Sequence, residues 1–173
     1  MKVQVLNKKK HDRKSFDCGV DSLNTYLNNT ARQHDNSDLS RTFVLTENES
    51  SDQILAYYSI TTCHIYWDDI PENLQKDYPN NGISAALIGR LAVHKKEQRK
   101  GHGEFMLIDA IEKIIDSGSS VPHPAIVVDA IDDDAKRFYI SFGFEEITPN
   151  SMRLFMPPKI CCFSQVCDIS NWD

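Results

Sequence analysis

Two rhythms of apolar and polar positions alternate along this chain, and each switch between them marks an element. Residues 2–6, KVQVL, alternate and predict an edge strand. Leu23, Tyr26, Leu27 and Ala31 then recur at spacings of three and four, which predicts a helix capped by Asp17 or Asp21. Residues 42–47 (TFVLTE) and 54–62 (ILAYYSITT) read as two strands of a hairpin across the polar turn ENESSDQ. DDIPENLQKDYP places Pro71 near a predicted helix start and Pro79 past its end. Residues 85–93, AALIGRLAV, are almost continuously apolar, as in a strand buried on both faces. The helix after Gly103 is amphipathic, with Phe105, Ile108, Ile111, Ile114 and Ile115 facing inward, and it stops at Ser117-Gly118. AIVVDAI (125–131) reads as a second buried strand and DDDAKRFYISFGF (132–144) as a short helix broken at Gly143. MRLFM (152–156) reads as a last strand before Pro157-Pro158.

This order suits an α/β class, as an α+β sandwich with one central sheet. At 173 residues the chain predicts a single domain over 1–158, followed by a peripheral tail, 159–173. Hydrophobic content of 40% and charged content of 25% are ordinary for a globular protein. No apolar run approaches the ~18 residues of a membrane span. The basic start, MKVQVLNKKKHDRK, lacks the apolar stretch of a secretory signal, so a cytoplasmic location is expected. The cysteines are Cys18, Cys63, Cys161, Cys162 and Cys167, an odd number that argues against a disulfide scaffold. Three of them form CC-x4-C in the tail, which lacks a fourth ligand, so no metal is expected.

Charge changes the picture. The chain carries a net charge of −6, yet residues 1–42 hold eight Lys/Arg against five Asp/Glu. Residues 86–103 hold five Lys/Arg against the lone Glu97. Two basic patches on an acidic body argue against general nucleic-acid binding and fit one directed polyanion contact.

The second patch surrounds a strand-to-helix junction, Gln98-Arg99-Lys100-Gly101-His102-Gly103, of the form Q-x-x-G-x-G. Gly101 and Gly103 allow backbone angles that other residues avoid and leave no Cβ between backbone and ligand. Successive N–H groups then form an anion cradle, to which a helix start adds its positive dipole end. Arg99, Lys100 and Lys95 add longer-range attraction. The turn lacks the third glycine of a dinucleotide fingerprint and the G-K-[ST] of a P-loop.

LIGRLAVHKKEQRKGHGEFML followed by AKRFYISFGF resembles the GNAT superfamily of acetyl-CoA-dependent N-acetyltransferases. The resemblance covers residues 86–156 and implies the GNAT acyl-CoA acyltransferase fold, a central mixed sheet flanked by helices. It implies that backbone groups of Leu91, Ala92 and Val93 hold the pantetheine arm. It implies that Gln98, Arg99, Lys100, Gly101, His102 and Gly103, with Glu104 beside them, hold the pyrophosphate, and that Phe138 and Tyr139 lie beside the thioester. HDRKSFDCGVDSLNTYLNNTARQHD extends the likeness up to Pro158 and is similar to the GNAT toxins of type II toxin–antitoxin modules. That group implies acetylation of the α-amine of an aminoacyl-tRNA, blocked translation, and a ribbon-helix-helix antitoxin as partner. A homodimer is expected. Asp132 stands where many members have Asn and is left out of the site. The tail has no family counterpart.

Acetyl transfer to an amine needs a neutral amine, a polarised thioester and a proton for the leaving thiolate. Tyr139 is the candidate acid, because a phenol with pKa near ~10 can donate to the departing sulfur. A backbone N–H near Val93 would stabilise the oxyanion if the strand is splayed as the family implies. No strong base stands out. An α-amine titrates near ~8 and a lysine near ~10.4, so an α-amine substrate needs little help. Glu104 and Asp129 are candidates for a base acting through water. For tRNA, Arg90 leads, since a cation in a buried strand is costly unless employed, with a structural ion pair as the alternative. Lys8, Lys9, Lys10, Arg13, Lys14, Arg32 and Arg41 are lesser candidates. The rival readings are a GNAT enzyme acting on a small amine or a protein lysine, and a non-enzymatic acyl-CoA-sensing module.

Overall fold

In the computed structural model, which describes residues 1–70, 72–118, 120–122 and 124–156, fourteen short elements follow one another. They are β1 (Lys2–Val5), α1 (Asp21–Thr25), a π-helical turn (Tyr26–Thr30), α2 (Ala31–Asn36), β2 (Arg41–Thr46) and β3 (Ala56–Ile65). A 3₁₀ turn (Trp67–Asp69), α3 (Glu72–Gln75), β4 (Ile83–Val93), α4 (His102–Ser117) and β5 (Ile126–Asp129) come next. The described chain ends with α5 (Asp133–Ser141), β6 (Glu145–Glu146) and β7 (Arg153–Met156). The strands form one seven-stranded sheet in the order β1-β2-β3-β4-β5-β7-β6. The expected boundary at Pro158, the tail and its three cysteines lie outside the described residues.

The chain divides into two compact units, Met1–Thr61 with Ile88–Ala110, and Thr62–Leu87 with the chain from Ile111 onward. In the first unit, β1, β2 and β3 form an antiparallel meander, with Val3 opposite Leu45 and Val44 opposite Tyr57. The expected edge strand and hairpin are both present. Phe16, Leu23, Tyr26, Leu27, Val44, Ile54, Tyr57 and Ala92 build its core. The first helix is not capped as expected. Val20 occupies the cap position, Asp21 is the first helical residue, and neither Asp17 nor Asp21 bonds to the helix end. One helical run is also widened at Tyr26–Thr30, a π-turn of the kind that collects at functional sites.

In the second unit, β7 pairs antiparallel with both β5 and β6. Its core is Ile65, Ile70, Ile83, Ala85, Ala125, Val127, Ile147 and Phe155. Gly143, at φ +88°, ends the aromatic helix as its position predicts. The two-residue β6 is too short to leave an alternating pattern in the sequence. The proline-flanked helix shrinks to the single turn of α3.

Two further expectations fail on burial. The apolar stretch of β4 is closely buried only at Ala85, Ala86, Ile88 and Ala92, while Leu87, Gly89, Arg90, Leu91 and Val93 keep partial exposure. The inner face of α4 is Met106, Leu107, Ala110, Ile111 and Ile114, and Phe105 is 44% exposed. The helix begins at His102, one residue before the expected start, and its apolar stripe is wide enough for the sequence to admit two phases. No helix among the described residues is long and apolar enough to cross a membrane.

Candidate functional site

Within the first unit, the segment from His94 to Gly101 links β4 to α4. Arg99 and Gly101 both sit at positive φ, +62° and +80°. A Cβ built on Gly101 would meet no heavy atom within 4 Å, so the space above that backbone is open. The Phe105 N–H donates to the Gly101 carbonyl at 3.0 Å, which makes Gly101 the helix cap residue. The N–H groups of His102, Gly103 and Glu104 then lie in the first turn, where a helix offers no internal acceptor. Alternating left- and right-handed residues ahead of a helix start are the geometry of an anion cradle. Gly103 does not take an unusual angle as expected. It is the second residue of α4, where lacking a Cβ leaves the helix end uncovered.

The side chains around the turn have settled partners. Gln98 donates from Nε2 to the Cys18 carbonyl at 2.9 Å and to the Val93 carbonyl at 3.1 Å. Its amide therefore holds backbone, and only its main chain is left for a ligand. Glu97 accepts from Lys100 Nζ at 2.9 Å and lies 3.4 Å from Nε2 of the buried His102. The Lys100 ammonium, with His102 after it, holds the Glu97 carboxyl below the usual carboxylate range. Lys95 donates to Asp17 at 2.5 Å. That ammonium, the Gly19 N–H and the Asn24 amide hold the Asp17 carboxyl at about 2. Among the turn's cations, Lys96 and Arg99 meet no carboxylate among the described residues. Glu97 escaped the sequence reading, although its spacing of three from Lys100 could have signalled it.

Upstream in β4, the Arg90 guanidinium stands 3.9 Å above the centre of the Tyr26 ring. Tyr26 in turn stacks on Tyr57 with ring centres 6.1 Å apart, and its hydroxyl is within bonding distance of Ser40 and Thr42. Arg90 thus rests on an aromatic shelf and forms no ion pair among the described residues, against the structural alternative. The other basic candidates divide. Arg41 is paired with Asp35 and Asp38, Arg13 donates to the Asn28 carbonyl, and Lys10 donates to Gln4 and to the Glu49 carbonyl. Lys8, Lys9, Lys14 and Arg32 meet no carboxylate among the described residues. Lys8 and Arg32 line one cleft of about 360 Å³ with Asn7, Asp35 and Asn36.

Within the second unit, α5 presents Phe138 and Tyr139. The Tyr139 ring packs edge-on to Phe138 and Phe144, at 5.4 Å and 5.8 Å. It is 6% exposed, and its hydroxyl meets no hydrogen-bond partner among the described residues. Burial, assisted by the Asp129 charge, pushes this phenol up to about 12. Asp129 itself is held by Arg153 through two bonds, at 2.7 and 2.8 Å, which occupies the carboxylate considered as a base. Asp132 has a structural task, because it caps α5 by accepting from the Ala135 N–H at 2.8 Å. An Asn side chain can accept the same bond.

Residues 17–154 match the family described as the acetyltransferase (GNAT) domain. The chain belongs to the GNAT acetyltransferase family. A tRNA-acetylating toxin of Mycobacterium tuberculosis is 30% identical over 148 residues, which is 86% of this GNAT chain and 87% of the relative. Among solved structures, AtaT complexed with acetyl-methionyl-tRNAfMet is 26% identical, with a TM-score of 0.84 over 92% of this chain and 96% of that one. The structure of AtaTR bound with AcCoA is 25% identical, with a TM-score of 0.75 over 92% and 94% of the two chains. The expected fold is therefore the observed one, and the positive-φ turn occupies the part of this GNAT domain that the sequence marked for phosphate.

Proposed function

We propose that this protein is a toxin N-acetyltransferase, which transfers acetyl from acetyl-CoA to the α-amine of aminoacyl-tRNA and so blocks translation. The observation that carries the donor half is the turn. Arg99 and Gly101 at positive φ, with the free N–H groups of His102, Gly103 and Glu104, form a preorganised cradle for a diphosphate. The tRNA-acetylating relative and the tRNA-bound neighbour support the acceptor half.

Acetyl-CoA supplies an activated thioester. Gln98 to Glu104 bind its pyrophosphate through main-chain N–H groups, and Leu91, Ala92 and Val93 line the pantetheine arm. Phe138 gives an apolar wall. Tyr139 carries the proton for the leaving thiolate. A phenol held near 12 stays protonated across the physiological range, and its unpartnered hydroxyl is available to donate. Of the two carboxylates considered as a base, Asp129 is committed to Arg153, while Glu104 is exposed in the first turn of α4 and meets no cation among the described residues. An α-amine titrating near ~8 is already partly neutral, whereas a lysine near ~10.4 would need a base. This favours the α-amine over the lysine reading. Arg90 on its tyrosine shelf, with Lys8, Lys9 and Arg32, is proposed to meet RNA phosphates. Arg13 and Arg41, already engaged, contribute less. A homodimer, a ribbon-helix-helix antitoxin and a cytoplasmic site of action complete the reading.

The test is acetyl transfer from labelled acetyl-CoA to total charged tRNA, with deacylated tRNA and a lysine peptide as controls. Label on charged RNA alone is expected. Label on peptide or polyamine alone would move the reading to a small-amine or lysine enzyme. Acetyl-CoA binding with no transfer to any acceptor would leave an acyl-CoA-sensing module.

A further inference from the structure

The cofactor turn has little hydrophobic anchorage. Lys95, Lys96, Gln98, Arg99 and Lys100 are exposed, and only His94 and His102 at its two ends are buried. Ordering such a loop costs backbone entropy at every residue, and a left-handed Arg99 adds to that. A cradle that must be ordered by its ligand binds weakly, so something else has to fix it.

Beside its internal contacts and the bond from the His94 N–H to the Leu55 carbonyl, the turn is tied to one short strap, Asp17-Cys18-Gly19. The Asp17 carbonyl accepts from the Lys95 N–H at 2.8 Å, and the Asp17 carboxylate accepts from Lys95 Nζ at 2.5 Å. The Cys18 carbonyl accepts from Gln98 at 2.9 Å. The strap is itself held from behind. Asn24 accepts from the Cys18 N–H at 3.0 Å and donates to Asp17 Oδ1 at 3.1 Å, so one amide side chain spans both strap residues. Gly19, at φ +87°, returns its N–H to Asp17 at 2.9 Å. Phe16 pins the strap's start in the core, edge-on to Tyr57 and His94 at 5.3 and 5.8 Å.

We infer that Asp17, Cys18 and Asn24 act with Gln98 as a splint that preorganises the pyrophosphate turn, making Asn24 a positioning residue for the acetyl donor. The inference rests on the proposal that this turn holds acetyl-CoA. The ionic part of the splint is durable, because Asp17 stays ionised down to about pH 2.

The experiment is calorimetry of the full chain with acetyl-CoA, paired with steady-state acetyl transfer. Gln98→Met and Asn24→Leu remove the polar contacts while keeping side-chain size. Each is expected to raise both Kd and KM for acetyl-CoA by about tenfold, the scale of one lost net hydrogen bond. kcat at saturating acetyl-CoA and KM for the acceptor should stay within about twofold of the parent, a split that general destabilisation would not produce. Asp17→Asn keeps the carbonyl contact and loses the ion pair; at this half-exposed position it should show a smaller shift in the same direction, with an unchanged urea midpoint. Weakening by Gln98→Met alone would mean that its amide touches the donor directly and would overturn the splint. Unchanged affinity in all three would overturn it as well. Gly101→Glu is the control. If it also binds normally, the assignment of the turn to acetyl-CoA has failed, and the splint with it.

Discussion

Tyr139→Phe removes one hydroxyl and keeps the ring that packs against Phe138 and Phe144. General acid catalysis is worth about 10²–10⁴-fold, and the phenol's environment selects the low end. A phenol at about 12 is a weaker acid than a thiol, which ordinarily titrates near ~8.5. Full proton transfer to a free thiolate is then uphill. In the proposed role the hydroxyl would therefore act mainly as a hydrogen-bond donor to the developing charge, with the proton following late. The expected loss in kcat is about 10²-fold, close to 3 kcal/mol of transition-state stabilisation. KM for acetyl-CoA and the urea midpoint should hold, since neither the turn nor the ring packing changes. The pH profile supplies a second reading. Tyr139 is raised, so its acid form declines only as pH passes about 12 and gives no falling limb below pH ~10. The rising limb belongs to the acceptor amine, near ~8. The assay is single-turnover acetylation of charged tRNA from pH 6 to 10. A variant within about threefold of the parent would refute the assignment, and a parental falling limb near pH 8–9 that vanishes in the variant would refute the raised phenol while keeping Tyr139 as the acid.

Gly101→Glu should abolish acetyl-CoA binding by calorimetry, yet cost only about 1–2 kcal/mol of stability, because φ +80° is strained for a side chain while the space around it is open. Leu107→Ala should lower stability in urea by about 2–5 kcal/mol, and Phe105→Ala by less than about 1 kcal/mol, since Leu107 is fully buried and Phe105 faces water. The reverse ranking would mean that the register of α4 is wrong. Asp132→Ala should cost about 1 kcal/mol by removing the α5 cap, whereas Asp132→Asn should stay within a few tenths. A loss of acetyl-CoA affinity in Asp132→Asn would instead give this residue a role in the site.

The turn proposed to hold the donor was legible as a backbone shape, because backbone chemistry writes itself into sequence. A turn that needs positive φ and no Cβ shows its glycine, and a helix that must stop shows Gly143. Side-chain commitments were not legible, because they join residues far apart in the chain. Nothing local says that Gln98 reaches the Cys18 carbonyl, eighty residues upstream, or that Asp129 is held by Arg153. The capping error has the same origin. Asp17 has the composition of a cap, but Lys95, Gly19 and Asn24 claim its carboxylate. The phase of α4 failed for another reason. A sequence with apolar residues at 105–108, 110, 111, 114 and 115 permits two inward faces, and only packing chooses between them.

The same contrast explains why the acceptor is harder to read than the donor. A diphosphate is recognised by N–H groups whose direction the fold dictates, so two glycines and a helix start nearly suffice. An RNA is met by long cations, and composition cannot say which of them are free. Of the candidates in the first unit, Arg13 and Arg41 carry the same charge as Arg32 and Arg90 in the sequence, but the fold assigns the first pair internal partners. Arg90 is the more informative survivor. Its guanidinium is placed by a ring whose own hydroxyl sits between Ser40 and Thr42, so its position is fixed without cancelling its charge. A cation held rigid and left uncancelled is the arrangement that a phosphate contact requires, and the salt dependence of tRNA binding should fall by about one phosphate contact in Arg90→Met.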